Sequence, residues 1–341
     1  MTESRTLLDV RDVKVHFPIR SGILRREVGT VRAVDGVSFS IRAGETLSLV
    51  GESGCGKTTL GQALVRILEP SAGRITYARP EGDVEITHLS PRQLRPFRSD
   101  IRMIFQDPYA SLNPRRRVID IIGESLRNAG IDDDEALKQR VADLLFRVGL
   151  PASYMARYPY AFSGGERQRI GIARALAVSP KLVVADECIS ALDVSIQAQI
   201  LNLLQDLQEE FALTYVFISH DLGVVEYISD RIAVMYAGRI VELADTESLF
   251  ERPRHPYTAA LLSAVPRPDP RRARAVRRDR LQGEVADPAR RPTGCAFHPR
   301  CRFAQALCRI DDPAPRSVGR HTVACHFAET LDLVGVRHDA A

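Results

Sequence analysis

Residues Gly51-Glu52-Ser53-Gly54-Cys55-Gly56-Lys57-Thr58 bring together the groups that hold a chain of phosphates. Their spacing is G-x-x-x-x-G-K-S/T, in which glycines let backbone N–H groups curl around phosphate oxygens. Lys57 is expected to reach the β- and γ-phosphates, the Thr58 hydroxyl to ligate Mg²⁺, and Thr59 to open a helix whose N-terminus adds positive potential. Cys55 is most simply a small loop residue. A second constellation is Asp186-Glu187, two carboxylates closing an apolar run. Asp186 suits Mg²⁺ held through water, and Glu187 suits a base that polarises an attacking water. Such a pair alone is more often a solvated strand end, and the phosphate loop is what gives it a chemical reading. A third is Ser163-Gly164-Gly165 at a helix start, a second nest able to face a γ-phosphate. Finally Cys295, Cys301, Cys308 and Cys325 fall close together near the C-terminus.

These groups need a frame that presents them at strand ends. Thr46–Val50, Leu182–Ala185 and Thr214–Ser219 read as buried strands, and short β-branched runs alternate with amphipathic helices. That pattern is an α/β fold with helices covering a mainly parallel sheet. A helix over Thr59–Leu68 follows the phosphate loop. Leu137, Val141, Leu144, Leu145 and Val148 recur at helical spacing, with Asp132 and Glu135 placed as a capping box, which predicts a helix over 132–149. Ile196, Ile200, Leu203, Leu204 and Leu207 predict another from about Ser195 to Glu210.

At 341 residues the chain exceeds what one core usually absorbs, and past residue 265 its texture changes. Pro266, Pro268 and Pro270, then Arg271, Arg272, Arg274, Arg277, Arg278 and Arg280, then Pro288 and Pro292 lead into the cysteines. A small appended domain held by something other than a large core is expected. The arginines suit a solvated linker, or equally nucleic acid or anionic lipid, and the net charge of +4 does not by itself mark a nucleic-acid protein. With 45% hydrophobic residues and a mean hydropathy of −0.13, no stretch reaches the roughly 18 to 20 apolar residues of a membrane span. Nothing at the N-terminus has the form of a secretory signal, so the expectation is a cytosolic protein without structural disulfides.

The run Phe162-Ser163-Gly164-Gly165-Glu166 resembles the signature of the ATP-binding cassette family, usually written LSGGQ, departing from it at Phe162 and Glu166. The other landmarks of that family follow in order. Gln106 resembles the glutamine that senses Mg²⁺ and links nucleotide state to a transport partner. Asp186-Glu187 resembles the Walker B pair, Ser190-Ala191-Leu192-Asp193 the D-loop, and His220 the switch histidine at the γ-phosphate. Phe17 stands where the family stacks an aromatic on adenine, although a core role would suit it equally. Cys188-Ile189 replaces the usual Pro-Thr.

The resemblance covers residues 5–265. It implies a P-loop NTPase cassette, a RecA-like core plus a helical subdomain at about 107–180, binding ATP and Mg²⁺ and pairing with a second, identical or homologous, ATPase subunit. Asp107-Pro108-Tyr109-Ala110-Ser111-Leu112-Asn113-Pro114 and His255-Pro256-Tyr257 resemble the oligopeptide and dipeptide importers, nickel importers included. That branch implies a peripheral subunit on the cytoplasmic face of the membrane. It would power two separate transmembrane permeases fed by an extracytoplasmic peptide-binding protein, with no nucleic acid involved. The competing reading is a soluble cassette ATPase acting on nucleic acid or ribosomes.

For the extension 266–341, four clustered cysteines in a cytosolic chain suit metal ligands better than disulfides. A tight C-x2-C pair, common for zinc, is missing, and looser spacing suits a 4Fe–4S cluster. Zinc and unligated thiols remain open on spacing alone, and importers with this C-terminal pattern imply the iron–sulfur cluster. His298, His321 and His326 are expected to be solvated or supporting. The tail is expected to be energetically separate, so that losing Cys308 would leave nucleotide binding nearly intact.

Overall fold

The computed structural model describes residues 5–22, 26–264, 283 and 286–336. The arginine cluster at 271–280 lies outside the described residues. The first elements are β1 (Thr6–Ser21), β2 (Arg26–Arg42), β3 (Thr46–Val50), α1 (Lys57–Leu64), β4 (Ala72–Arg79) and β5 (Gly82–Glu85). There follow α2 (Pro91–Leu94), α3 (Phe97–Asp100), β6 (Ile101–Ile104), α4 (Val118–Asn128), α5 (Asp134–Arg147), α6 (Gly164–Leu176), β7 (Leu182–Asp186) and α7 (Val194–Phe211). The chain ends with β8 (Thr214–Ile218), α8 (Leu222–Ile228), β9 (Arg231–Tyr236), β10 (Arg239–Asp245), α9 (Thr246–Glu251), α10 (Pro256–Ser263), α11 (Ala306–Ile310), β11 (Arg316–Val318) and β12 (His321–Val323). These form two compact units, one built from described residues within 6–41, 46–88 and 218–336, the other from residues 5, 42–45 and 89–217.

The first unit carries the phosphate loop. Its antiparallel sheet has the order β2-β1-β4-β5. Leu8 and Val10, then Val13 and Val15, are the buried positions of β1, an alternation that skips one residue. The skip coincides with a register shift between Arg11 and Lys14 and with a positive φ of 47° at Asp12, the mark of a bulge. The unit's other strands run β11-β12-β10-β9-β3. β3, buried at all five positions, pairs in parallel with β9 at Leu47 and Arg231, while β10 is antiparallel to β9. A continuous apolar run is what a strand covered on both faces requires.

In the second unit β8, β7 and β6 lie in that order, with β6 and β7 parallel. Helix α5 begins one residue later than the sequence spacing implies. Asp133, not Asp132, is its cap, accepting from Ala136 N at 2.7 Å. Three consecutive aspartates offered three candidate caps, and only the geometry of the first turn selects one. Leu137, Val141, Leu144, Leu145 and Val148 are buried as the periodicity predicts.

The described tail stands differently from the expected small cysteine-rich domain. β12 pairs with β10 at Glu242↔Val323 and Leu243↔Thr322, and Ala324 N donates to Val241 O at 2.9 Å. The tail therefore belongs to the same compact unit as the phosphate loop. Among the described residues, one apolar cluster of the tail is Val318, Val323 and Ala328 with Cys325 against them, too few side chains to stand alone. His321 is not solvated: its Nδ1 lies 2.7 Å from Glu242 Oε1, and both residues are buried. Glu242 also accepts from the N–H groups of Arg254 and His255, at 2.7 and 2.9 Å. A buried carboxylate needs that many donors.

Candidate functional site

The phosphate loop is shaped by its glycines. Gly51 and Gly56 have φ of 150° and 104°, and a Cβ at either would come within 2.3 Å of Met235 O or 2.1 Å of Ala33 O. Only glycine permits that approach. The loop ends where α1 begins at Lys57. Lys57 is buried, and its Nζ donates to Gly51 O at 2.8 Å and Glu52 O at 3.1 Å, with Cys55 Sγ at 3.9 Å. An ammonium has three donors, and the thiol is the weakest of these acceptors, so a phosphate oxygen would readily displace it. Cys55 is buried, and burial pushes its thiol up despite the neighbouring ammonium, which suits an inert loop residue. The cradle of backbone N–H groups, the lysine and the Thr58 hydroxyl make a donor set that fits a nucleotide triphosphate with Mg²⁺.

The loop is also held from outside. Glu52 N donates to the Tyr257 hydroxyl at 2.9 Å. The Glu52 carboxylate receives both Nη groups of Arg300, at 2.6 and 3.0 Å, and the Arg300 side chain is only 5% exposed. The His-Pro-Tyr run explains how Tyr257 gets there. His255 caps α10 by accepting from Tyr257 N at 3.1 Å, which requires a bare Nδ1. Burial pushes the His255 imidazole down to about 4, so it is neutral and able to accept. His220 lies in the phosphate-loop unit, on a turn fixed by Asp221, whose carboxylate accepts from Gly223 N and Val224 N. Phe17 lies on β1 and is 41% exposed, so it is not a core residue.

In the other unit Asp186 is the buried last residue of β7 and Glu187 follows with a φ of 42°. A non-glycine residue in the left-handed region is strained, and such strain gathers where a side chain must be aimed. Gln106 Nε2 donates to Glu187 Oε2 at 2.8 Å, so two residues 81 positions apart meet. Cys188, next in line, is buried and its thiol pushed up to about 12, which leaves it no role as a nucleophile.

The two departures in the signature have structural explanations. Ser163 caps α6, accepting from Glu166 N at 3.3 Å, and Glu166 Oε2 accepts in return from Ser163 N at 2.8 Å. This is a reciprocal capping box, a task glutamate and glutamine share. The Ser163 N–H holds the Glu166 carboxyl below the usual carboxylate range. Phe162 is buried against Tyr154, ring centroids 4.9 Å apart, filling an apolar position as leucine would. A Cβ on Gly165 would lie 2.7 Å from Ile196 Cγ2, so the glycine lets α6 and α7 approach. Arg167 then ties this helix to its surroundings: it stacks 4.0 Å from the Tyr109 ring and donates to Pro159 O at 2.8 Å. Tyr109 and Tyr160 are 59% and 70% exposed.

The four tail cysteines line one small pocket with Phe297, Phe303, Phe327 and Leu331. Burial and the neighbouring sulfurs push Cys295, Cys301 and Cys325 up to about 11 each. Among the described residues, no group of three or more His, Cys, Asp or Glu side chains is arranged to hold a metal ion. A tetrahedral zinc would draw its sulfurs to within about 4 Å of one another.

Three comparisons place the chain among known proteins. A model of the ABC transporter family matches residues 34–190, and one of the oligopeptide/dipeptide transporter C-terminal region matches 241–308. The chain is 51% identical to the oligopeptide transport ATP-binding protein AppF of Bacillus subtilis, over 94% of this chain and 97% of that one. It is 47% identical to the di/tripeptide transport ATP-binding protein DppF of Pseudomonas aeruginosa, over 95% and 98%. Among solved structures, the ATP-binding cassette MJ0796 bound to ADP and Pi aligns with a TM-score of 0.61 and 25% identity, over 70% of this chain and 99% of that one. The cassette cbiO1 of Clostridium perfringens aligns with a TM-score of 0.60 and 26% identity, over 73% and 91%.

Proposed function

The chain belongs to the ATP-binding cassette family of transporter ATPases, in its oligopeptide/dipeptide branch, and from that premise we propose that it powers peptide import through separate permease subunits. As a member of that family it binds and hydrolyses ATP. Its own residues divide the work. The loop 51–58 binds the phosphates, with Lys57 as the charge and Thr58 as a Mg²⁺ ligand supported by Asp186. Glu187 orients the attacking water, Gln106 reports on Mg²⁺, His220 contacts the γ-phosphate, and Phe17 stacks on the base. Ser163, Gly164 and Gly165 face the nucleotide of a second cassette. The observation that carries this reading is the Gln106–Glu187 hydrogen bond, which joins the sensing glutamine to the base on a strained backbone.

Among the described residues no helix is long and apolar enough to cross a membrane. The likeness to transport ATP-binding proteins supports a peripheral subunit on the cytoplasmic face. Arg167, which ties exposed Tyr109 to the signature helix, supports placing the permease contact there. The peptide-transport relatives named above lend no support to action on nucleic acid. For the tail, we propose a structural 4Fe–4S cluster held by Cys295, Cys301, Cys308 and Cys325. Four thiols in an apolar pocket are a suitable donor set for it. The cluster would supply folding free energy that the few apolar residues there do not.

The test is reconstitution of the chain with its permeases and a second cassette in vesicles, following uptake of a labelled oligopeptide. ATP-dependent uptake, lost with Glu187→Gln, is expected. ATP hydrolysis stimulated by DNA but by no permease would refute the reading.

A further inference from the structure

Glu52 is held through every polar group it has. Its carboxylate takes the Arg300 fork, its N–H donates to the Tyr257 hydroxyl, and its carbonyl accepts from Lys57 Nζ at 3.1 Å. Glu52 is the first variable residue of the phosphate loop, so fixing it fixes the entry to the cradle and the resting place of the lysine. Arg300 in turn sits on the short turn His298–Arg300, directly between two of the tail cysteines. That turn is closed by His298 N to Cys295 O at 3.0 Å and Cys301 N to His298 O at 3.3 Å. Phe297 anchors it against Tyr236 and Tyr257, with ring centroids 5.3 and 5.4 Å away, and the Arg300 guanidinium lies 5.9 Å from the Tyr236 ring. Cys295 N also donates to Cys308 O at 2.9 Å, which joins the turn to the third cysteine.

We propose that Arg300 is a positioning residue for ATP binding, through which the four-cysteine pocket sets the conformation of the phosphate loop. Whatever orders the thiols orders the turn 295–301, and the turn delivers a bidentate cation to Glu52. A fork of this kind fixes direction as well as distance, which a lysine at 300 would not reproduce. The latch rests on nucleotide binding at 51–58 and is independent of which metal the thiols hold, so a colourless protein would refute the iron–sulfur proposal and leave the latch standing.

The test is equilibrium binding of mant-ATP with Mg²⁺ to the full chain, purified anaerobically. Arg300→Gln should raise Kd about tenfold, and Arg300→Lys should fall between it and wild type. Amide exchange in β3 and β9 should stay unchanged in both, which a general loss of structure would not allow. Cys308→Ser should weaken binding several-fold in the wild-type background and add almost nothing in Arg300→Gln, because the route is already cut. Glu52→Arg with Arg300→Glu should recover part of the loss by restoring the pair. Wild-type affinity in Arg300→Gln, or losses from Arg300→Gln and Cys308→Ser that simply add, would overturn the latch. A wild-type chain with no affinity for the probe would overturn the nucleotide reading and the latch with it.

Discussion

Replacing Glu166 by alanine removes half of a reciprocal cap and should loosen the start of the signature helix. The Ser163 N–H loses its 2.8 Å carboxylate acceptor, and the Tyr154 hydroxyl, 3.3 Å from Glu166 Oε1, loses its partner. A missing cap costs about 1 kcal/mol, and the long, solvent-screened hydroxyl–carboxylate hydrogen bond about 0.5–1 kcal/mol more. The expected loss is therefore about 1.5–2 kcal/mol, concentrated in the first turn of α6. Glutamine keeps an oxygen acceptor at the same reach and should cost no more than about 0.5 kcal/mol. Amide exchange at residues 166–168 reads the difference directly. Because the folded carboxyl is held below its unfolded value, its contribution is present above the unfolded pKa and fades as pH falls through the folded one. Exchange in the wild-type turn should thus accelerate in that acid window while Glu166→Gln stays flat. Alanine and wild type exchanging alike, or glutamine as damaging as alanine, would refute the capping argument.

Lys57→Ala should weaken ATP binding by roughly tenfold to a hundredfold, the worth of a charge-assisted phosphate contact, as measured by nucleotide titration. Glu187→Gln should instead bind ATP normally and lose roughly 10²-fold or more in hydrolysis, read by phosphate release in the assembled transporter. Phe162→Ala should destabilise the unit containing α6 by about 3–5 kcal/mol in urea unfolding, since the ring is buried. Anaerobic protein should absorb broadly near about 400 nm and hold about four irons per chain. Chelation at lower pH should strip it more easily, because thiols whose pKa lies near 11 reclaim their protons. Colourless protein with stoichiometric zinc would be the contrary result.

The phosphate loop, β3, β7 and β8 were legible because each is local: a motif, or an apolar run, within about eight residues. The helices α5 and α7 were legible from periodicity, their caps less so. Three-residue strands such as β11 and β12 carry no period of their own and exist through pairing with β10. The reach of Arg300 to Glu52 spans 248 positions, and no local pattern announces it. For that reason the tail reads in sequence as energetically separate from nucleotide binding, whereas the structure wires the two together. A separation of 205 positions likewise hides Tyr257: the His-Pro-Tyr run identifies a branch of the family, and only the fold shows its hydroxyl on the phosphate loop.

The pairing of β12 with β10 has a consequence for how this protein avoids adding strands at its sheet edge. Val241, Glu242, Leu243 and Ala244 are all buried, and the outer edge of β10 is closed by the tail hairpin. The strand then left outermost, β11, is three residues long and bears Arg316, a short charged edge of the sort that resists further strand addition. A chain cut near residue 265 would instead present the N–H and C=O groups of an apolar strand to any passing neighbour, and would strip Glu242 of His321. Such a fragment should aggregate through that edge, so the tail doubles as a guard on the sheet to which it is added.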